Sequence, residues 1–235
     1  MRISKYLAHA GIASRRKCEE YIREGRISVN GAVIDDLGHD VDPGNDSVLF
    51  DGRPVAPPSD THVYIMFNKP LGCVSTSSDD KGRKTVLDYI DTEKRIYPVG
   101  RLDFNSEGLL ILTDDGDLAY RLTHPSHEVK KRYFVKCSGR LTDEDLNRLR
   151  HGVVIDGRKT APAEVRVTSE IPSGTELTVS IHEGRNRQIR KMFEAIGRDV
   201  VFLKRISIGK ISLGDLKSGK YRHLSPEEIR YLKSF

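Results

Sequence analysis

Residues 98–116 read PVGRLDFNSEGLLILTDDG, and the rest of the chain is best interpreted outward from them. An apolar strand is expected over 96–102, then a sharp turn after Asp103, then a second strand, LLILT, over 109–113. Asp103 thus stands at a strand end on a loop, where a rigid scaffold commonly holds a reacting group. Arg101 lies two residues earlier and shares a face with Asp103 if the strand continues that far. A carboxylate beside a guanidinium keeps its charge, which suits a carboxylate nucleophile. On spacing alone, a structural salt bridge at a strand end is the better account of this pair.

Short strands and helices alternate on the C-terminal side. Strands are expected at 131–137, 163–169, 175–182 and 200–208, and helices near 116–122, 142–150 and 187–196. HVYIMFNKP (62–70) reads as a further strand ending at Lys69-Pro70, and the polar stretch 72–84 as a surface loop. Many strands with few, separated helices imply the α+β class, with a mixed, mostly antiparallel sheet flanked by helices. RPVAPPSDT (53–61) carries three prolines and little to bury, so it reads as a crossing between domains. The expected organisation is a small domain at 1–56, a linker at 57–61 and a larger domain at 62–235.

The N-terminal segment has its own logic. ISKYLAHA (3–10) is a short helix, and Ser14 reads as the N-cap of a second with Cys18, Tyr21 and Ile22 inward. Gly25 ends that helix. Asn30-Gly31 and Asp51-Gly52 are two-residue hairpin turns. Lys5, Arg15, Arg16, Lys17 and Arg26 make this head basic: residues 1–30 hold seven Lys/Arg and three Asp/Glu, whereas residues 31–60 hold one and seven. Cations at the start of a helix oppose its dipole and are easier to understand if an external phosphate sits there. Charge alone leaves a solvated basic face an equally good explanation.

Other chemistry finds little support. The three cysteines, Cys18, Cys73 and Cys137, form no CxxC pair, so neither a disulfide framework nor a zinc–cysteine site is indicated. His124 and His127 lack further ligands nearby, so no metal is expected. There is no phosphate-binding glycine loop or dinucleotide motif, and no cofactor is expected. No apolar run approaches the ~20 residues that span a bilayer, and the basic N-terminus lacks a signal-peptide core. A cytoplasmic monomer without a membrane partner is expected.

Ordered motifs sharpen this picture. Ser14-Arg15-Arg16 followed by Gly25-Arg26-Ile27-Ser28-Val29-Asn30-Gly31 resembles the S4 RNA-binding module. The resemblance implies structured RNA as partner, with phosphate contacts that position more than they read sequence. It makes Lys5, Arg15, Arg16, Lys17, Arg26 and Asn30 candidate RNA contacts, and the acidic stretch 35–51 is expected to face away from RNA. GRLDFNSEGLLILTDDG closely resembles the catalytic motif of RsuA/RluB-type pseudouridine synthases, with Ser106 where Thr is common. HEVKKRYFV (127–135) and EGRNRQIRKM (183–192) resemble that family's second and third motifs, in order.

The resemblance implies roles. Asp103 is the catalytic carboxylate, with Arg101 beside it. Tyr133 stacks on the target base, Arg190 pairs with Asp103, and Leu203 lines the uracil pocket. Basic residues 130–132, 185–191 and 204–205 line the RNA approach, with Arg185, Arg187 and Lys191 as candidate contacts. On helical spacing, Ile189, Met192, Phe193 and Ile196 form the apolar stripe, with Arg187, Arg190 and Glu194 on the other side. The implied reaction breaks the N1–C1′ bond of a uridine, rotates the uracil and rejoins it through C5. The uridine must first leave its stack, at a cost of a few kcal/mol. Asp103 adds to C6 of the ring or attacks C1′ of the sugar, and the sequence does not choose between them.

The expected partner is ribosomal RNA, free or in an assembling particle, with the large subunit favoured over the small. Two further readings stand beside this one. A catalytically silent RNA-binding or ribosome-assembly factor has no need to keep Asp103, Tyr133 and Arg190 together. A nuclease or glycosidase needs a second carboxylate beside Asp103, and neither Glu107 nor Asp114 is well placed for that.

Overall fold

A computed structural model describes residues 1–58 and 61–235. The chain divides into two compact units: Met1–Val63 with Glu93–Arg95 and Asp114–Gly116, and Tyr64–Thr92 with Ile96–Thr113 and Asp117–Phe235. The expected linker at 57–61 includes residues 59 and 60, which lie outside the described residues.

The smaller unit begins with α1 (Ile3–His9) and α2 (Arg15–Arg23), followed by β1 (Ile27–Val29), β2 (Ala32–Val33), β3 (Val48–Phe50) and β4 (Arg53–Pro54). The Ser14 side chain accepts from Lys17 N at 3.2 Å, satisfying one orphan N–H of the first turn of α2. Asn30 and Gly31 take φ of 51° and 85°, the left-handed pair that a two-residue hairpin demands, and join β1 to β2. The strands order as β2-β1-β3-β4. Ile3, Leu7, Cys18, Ile22, Ile27 and Val48 fill the core between helices and sheet.

The larger unit runs β5 (Tyr64–Lys69), β6 (Tyr97–Val99), β7 (Glu107–Thr113), α3 (Gly116–Thr123), β8 (Lys131–Ser138), α4 (Asp143–His151), β9 (Val154–Ile155) and β10 (Arg158–Lys159). It continues with β11 (Glu164–Ile171), β12 (Gly174–Ile181), α5 (Gln188–Glu194), β13 (Val200–Ile208), β14 (Ile211–Ser212), β15 (Tyr221–His223) and α6 (Pro226–Lys233). Its main sheet orders β11-β12-β8-β13-β7-β5-β15, with β14 added to β13 and β6 to β7. Every pairing in it is antiparallel except β13 with β7. This is the mixed, mostly antiparallel sheet of an α+β protein. The central strands β5 and β7 are buried on both faces, which is why they read as unbroken apolar runs.

Two cores lie on the sheet. Val135, Leu149, Leu177, Val179, Met192 and Phe193 pack α4 and α5 onto the β8–β11–β12–β13 side. Met66, Leu109, Ile111, Leu118, Leu122 and Leu232 pack α3 and α6 onto β5 and β7. The seam is the parallel pair, where Gly108 faces Arg205. Gly108 has φ +112°, and a Cβ built there would lie 2.2 Å from the Arg205 carbonyl oxygen. Only a glycine lets the two backbones approach this closely.

Candidate active site

Asp103 lies in the connection between β6 and β7. The strand expected to run to 102 stops at Val99, because Gly100 takes φ +71° and turns the chain. Arg101 is therefore an exposed loop residue, and strand alternation does not align it with Asp103. What replaces strand structure is a set of donors on successive carbonyls. The Ser75 hydroxyl donates to Leu102 O at 2.8 Å and accepts from Leu102 N at 3.1 Å. Lys69 Nζ donates to Asp103 O at 3.1 Å and Ser106 O at 2.8 Å, and also to Pro70 O at 3.0 Å. Gly72 N donates to Phe104 O at 3.0 Å. Arg190 Nη2 donates to Asn105 O at 2.6 Å. Each carbonyl from Leu102 to Ser106 thus has a donor, and the loop that carries Asp103 is fixed without being a strand.

Arg190 was expected to pair with Asp103. Among the described residues no ion pair to the Asp103 carboxylate occurs within 4 Å, and Arg190 instead spans the carbonyls of Asn105 and Val200. The reason is local: the chain turns over from Asp103 to Ser106, with Ser106 N on Asp103 O at 3.0 Å, so carbonyl 105 faces α5. Burial, with Arg187 adding to it, pushes the Arg190 pKa down, and Asp103 and Glu194 oppose this. Its Nε is buried and has no partner among the described residues.

Lys69 is absent from the sequence-derived site. It is fully buried at the end of β5, and burial lowers its pKa to about 8 even with Cys73, Asp103 and Glu107 acting in the other direction. A signal existed: a lysine closing an otherwise apolar strand is almost never fully buried unless something holds it. Ser75 gave no such sign, since it sits in a polar stretch read as a surface loop.

A cavity of about 210 Å³ opens beside this loop. Arg101, Asp103, Tyr133 and Leu203 line it, together with Lys131 and Arg205. Asp103 contributes the one carboxylate among the described lining residues. Tyr133 on β8 stands directly opposite Arg205 on β13, and Leu203 is two residues from Arg205, on the same face. Ser106 is buried at the cavity edge, and its hydroxyl has no partner among the described residues. The cavity therefore offers a carboxylate on a fixed loop, an aromatic ring, an aliphatic wall and several cations.

Other expected contacts are divided. Arg187 lines the cavity in a left-handed conformation, φ 52°, as the N-cap of α5 rather than within the helix. The apolar stripe Ile189, Met192, Phe193 and Ile196 is buried as expected. Arg185 also lines the cavity, but its guanidinium donates to the carbonyls of Ile155 and Arg158. Lys191 is ion-paired with Asp156 at 2.7 Å.

In the smaller unit, Arg16 is exposed, Lys17 pairs with Glu20, and Arg15 Nε donates to Ser4 Oγ at 3.2 Å. Lys5 is half-buried. Arg26 is bidentate to Asp51 and stacked on Tyr21 and Phe50 at 4.5 and 4.8 Å. Asn30 is bonded to Asp46 and to the N–H of Ser47. The acidic stretch thus does not turn wholly away from the candidate RNA contacts: Asp51 holds Arg26, and Asp46 holds Asn30. The physical reason is charge complementarity for Arg26 and an amide hydrogen bond for Asn30, formed where β1 and β3 pair, which the linear count of charges does not show. Among the described residues no group of three or more His, Cys, Asp or Glu could hold a metal ion. Nor is any helix there long and apolar enough to cross a membrane.

Comparison with known proteins adds independent information. Residues 63–195 match the family model for RNA pseudouridylate synthase, and residues 1–47 match that for the S4 domain. The chain is 43% identical to ribosomal large subunit pseudouridine synthase B of Bacillus subtilis, covering 99% of this chain and 96% of the relative. It is 42% identical to an uncharacterized RNA pseudouridine synthase of Aquifex aeolicus, covering 99% and 93%. A solved structure of a pseudouridylate synthase superposes with a TM-score of 0.70 at 30% identity, covering 99% of each chain.

Proposed function

Since the chain belongs to the RNA pseudouridylate synthase family, and is an isomerase acting on RNA, we propose that it converts a uridine of large-subunit ribosomal RNA to pseudouridine with Asp103 as nucleophile. The observation that carries the assignment is the cavity, in which a single carboxylate, on a loop held carbonyl by carbonyl, faces an aromatic ring and an aliphatic wall. The extruded uracil lies between Tyr133 and Leu203, with its glycosidic bond toward Asp103. Arg190 positions the nucleophile by holding Asn105 O rather than by touching the carboxylate. Arg101 and Arg187, at the cavity wall, meet the phosphates flanking the target. The S4 module, through Arg15, Arg16 and Lys17, supplies non-sequence-specific affinity.

The large-subunit target is favoured by the printed function of the Bacillus subtilis relative. The enzyme is placed in the cytoplasm as a monomer, where ribosomal RNA is made and assembled. The isomerisation rearranges atoms within one nucleotide and needs no group donor.

The test is Asp103→Asn, which keeps shape and removes charge. Pseudouridine formation on a large-subunit rRNA transcript should vanish while RNA affinity stays within a few-fold. Unchanged turnover in this variant would end the nucleophile assignment.

A further inference from the structure

Lys131 and Arg205, expected only to border the RNA approach, line the same cavity as Asp103. Arg205 is 4% exposed, which is rare for arginine unless it is paired. Its Nε donates to Leu109 O at 2.7 Å, but its Nη2 is buried and has no partner among the described residues. No ion pair to either cation occurs within 4 Å among the described residues. Burial, with Arg205 adding to it, lowers the Lys131 pKa to about 8. Keeping two such charges side by side in a half-dry site is costly unless a negative group arrives to meet them.

Strand geometry says where that group would lie. Lys131 and Tyr133 are two apart on β8, and Leu203 and Arg205 are two apart on β13. Arg205 faces Tyr133 across the ladder. The four side chains therefore tile one face of two adjacent strands, and a ring placed on Tyr133 presents its edge to Lys131 and Arg205.

We propose that Lys131 and Arg205 form a cationic seat for a carbonyl oxygen of the uracil, stabilising the negative charge the ring acquires during the reaction. The inference rests on the assignment of this cavity to the target uridine. Both routes open to Asp103 create that charge. Attack at C1′ forms an Oδ–C1′ bond, breaks C1′–N1 and leaves the electron pair on the uracil, shared by N1, O2 and O4. Addition to C6 forms an Oδ–C6 bond and moves the C5=C6 pair toward O4. In either case no electrons leave the enzyme–RNA complex. On the first route C5 then attacks C1′ and displaces the Asp103 carboxylate, breaking Oδ–C1′; on the second C1′–N1 breaks, C5 joins C1′ and the Oδ–C6 bond is then cleaved. On both, Asp103 is released as the free carboxylate, C5 loses its proton and N1 takes one up. Donors aimed at an oxygen that becomes anionic are worth far more in the transition state than before it.

The experiment measures single-turnover pseudouridine formation and RNA binding for the full-length protein. The variants are Lys131→Met, Lys131→Arg and Arg205→Lys. Lys131→Met removes a partly desolvated charge and should fold, which matters because Arg205 is buried. Its rate should fall about 10²-fold with RNA affinity unchanged, and Lys131→Arg should restore most of it. Each protein is then given RNA carrying 2-thiouridine or 4-thiouridine at the target, since sulfur is the poorer hydrogen-bond acceptor. At one of the two positions the thio effect in wild type should differ by tenfold or more from that in Lys131→Met and Arg205→Lys, because the partners are coupled.

Fully additive effects at both positions would overturn the proposal. So would a Lys131→Met variant with wild-type rate, or one that lost RNA affinity and about one unit of salt slope, the signature of a phosphate contact. The parent assignment is checked separately with Asp103→Asn. If that variant turns over, the site reading fails; if it is dead while Lys131→Met is fully active, only the cationic seat fails.

Discussion

Replacing Gly108 by alanine puts a methyl group where the backbone of β13 already runs. The added Cβ lies 2.2 Å from Arg205 O and 2.6 Å from Arg205 N, at a residue with φ +112°. An L-residue in that conformation costs about 1–3 kcal/mol. The overlap is with backbone, so no side chain can swing aside; the strands must part by roughly 1 Å, at about 1–3 kcal/mol more. A total of about 4 kcal/mol predicts a fall in melting temperature of roughly 8–16 °C for a unit of this size. Gly157 is the control. It has φ +73° but open space around its would-be Cβ, so alanine there should cost only about 1 kcal/mol.

The same displacement reaches the chemistry, because β7 begins at Glu107, directly after the loop that bears Asp103. It also strains the Lys204–Glu107 ion pair, 3.1 Å across the seam. A shift near 1 Å should lower single-turnover pseudouridine formation by about 10²-fold. Thermal and urea unfolding, followed by far-UV circular dichroism and tyrosine fluorescence, read the first effect; a rate assay at a temperature where both variants are folded reads the second. If Gly108→Ala and Gly157→Ala were equally stable, or if Gly108→Ala turned over at the wild-type rate, the parallel seam would not be positioning Asp103.

Lys69→Met should slow turnover by about 10²-fold by releasing the carbonyls of Asp103 and Ser106. Its stability should also respond differently to pH. The folded Lys69 pKa is about 8 against the ordinary lysine value of 10.5, so between these values the unfolded chain binds more protons and wild-type stability rises with pH. Wild type should therefore gain up to about 3 kcal/mol on Lys69→Met from pH 8 to 10.5, and a constant gap in urea titrations would contradict the burial argument. Arg190→Ala should reduce the rate 10-fold or more and leave RNA affinity within a few-fold; equal losses in both would make it a phosphate contact. Arg16→Ala should weaken RNA binding and lower the salt slope by about one, with an unchanged slope showing that this face of α2 does not meet phosphate.

Much of the molecule was open to the sequence because local rules dominate there. Ser14 caps α2, Asn30-Gly31 folds a hairpin, and the buried stripe of α5 follows from spacing, because each depends on neighbours a few residues away. Motif order placed Asp103, Tyr133 and Leu203 in one cavity, although they lie on separate elements. Only tertiary structure showed that Arg190 reaches Asn105 rather than Asp103, that Asp46 and Asp51 hold Asn30 and Arg26, and that Lys69 and Ser75 hold the loop bearing Asp103. These contacts join groups far apart in the chain, and those around Asp103 run from side chains to backbone carbonyls. A carbonyl oxygen looks the same in every residue, so which donor finds it depends on where folding brings the strands, not on any letter in the sequence. The cations Lys131 and Arg205 follow the same rule: each is ordinary as a residue type, and what sets them apart is burial beside a cavity with only one carboxylate among its described lining residues.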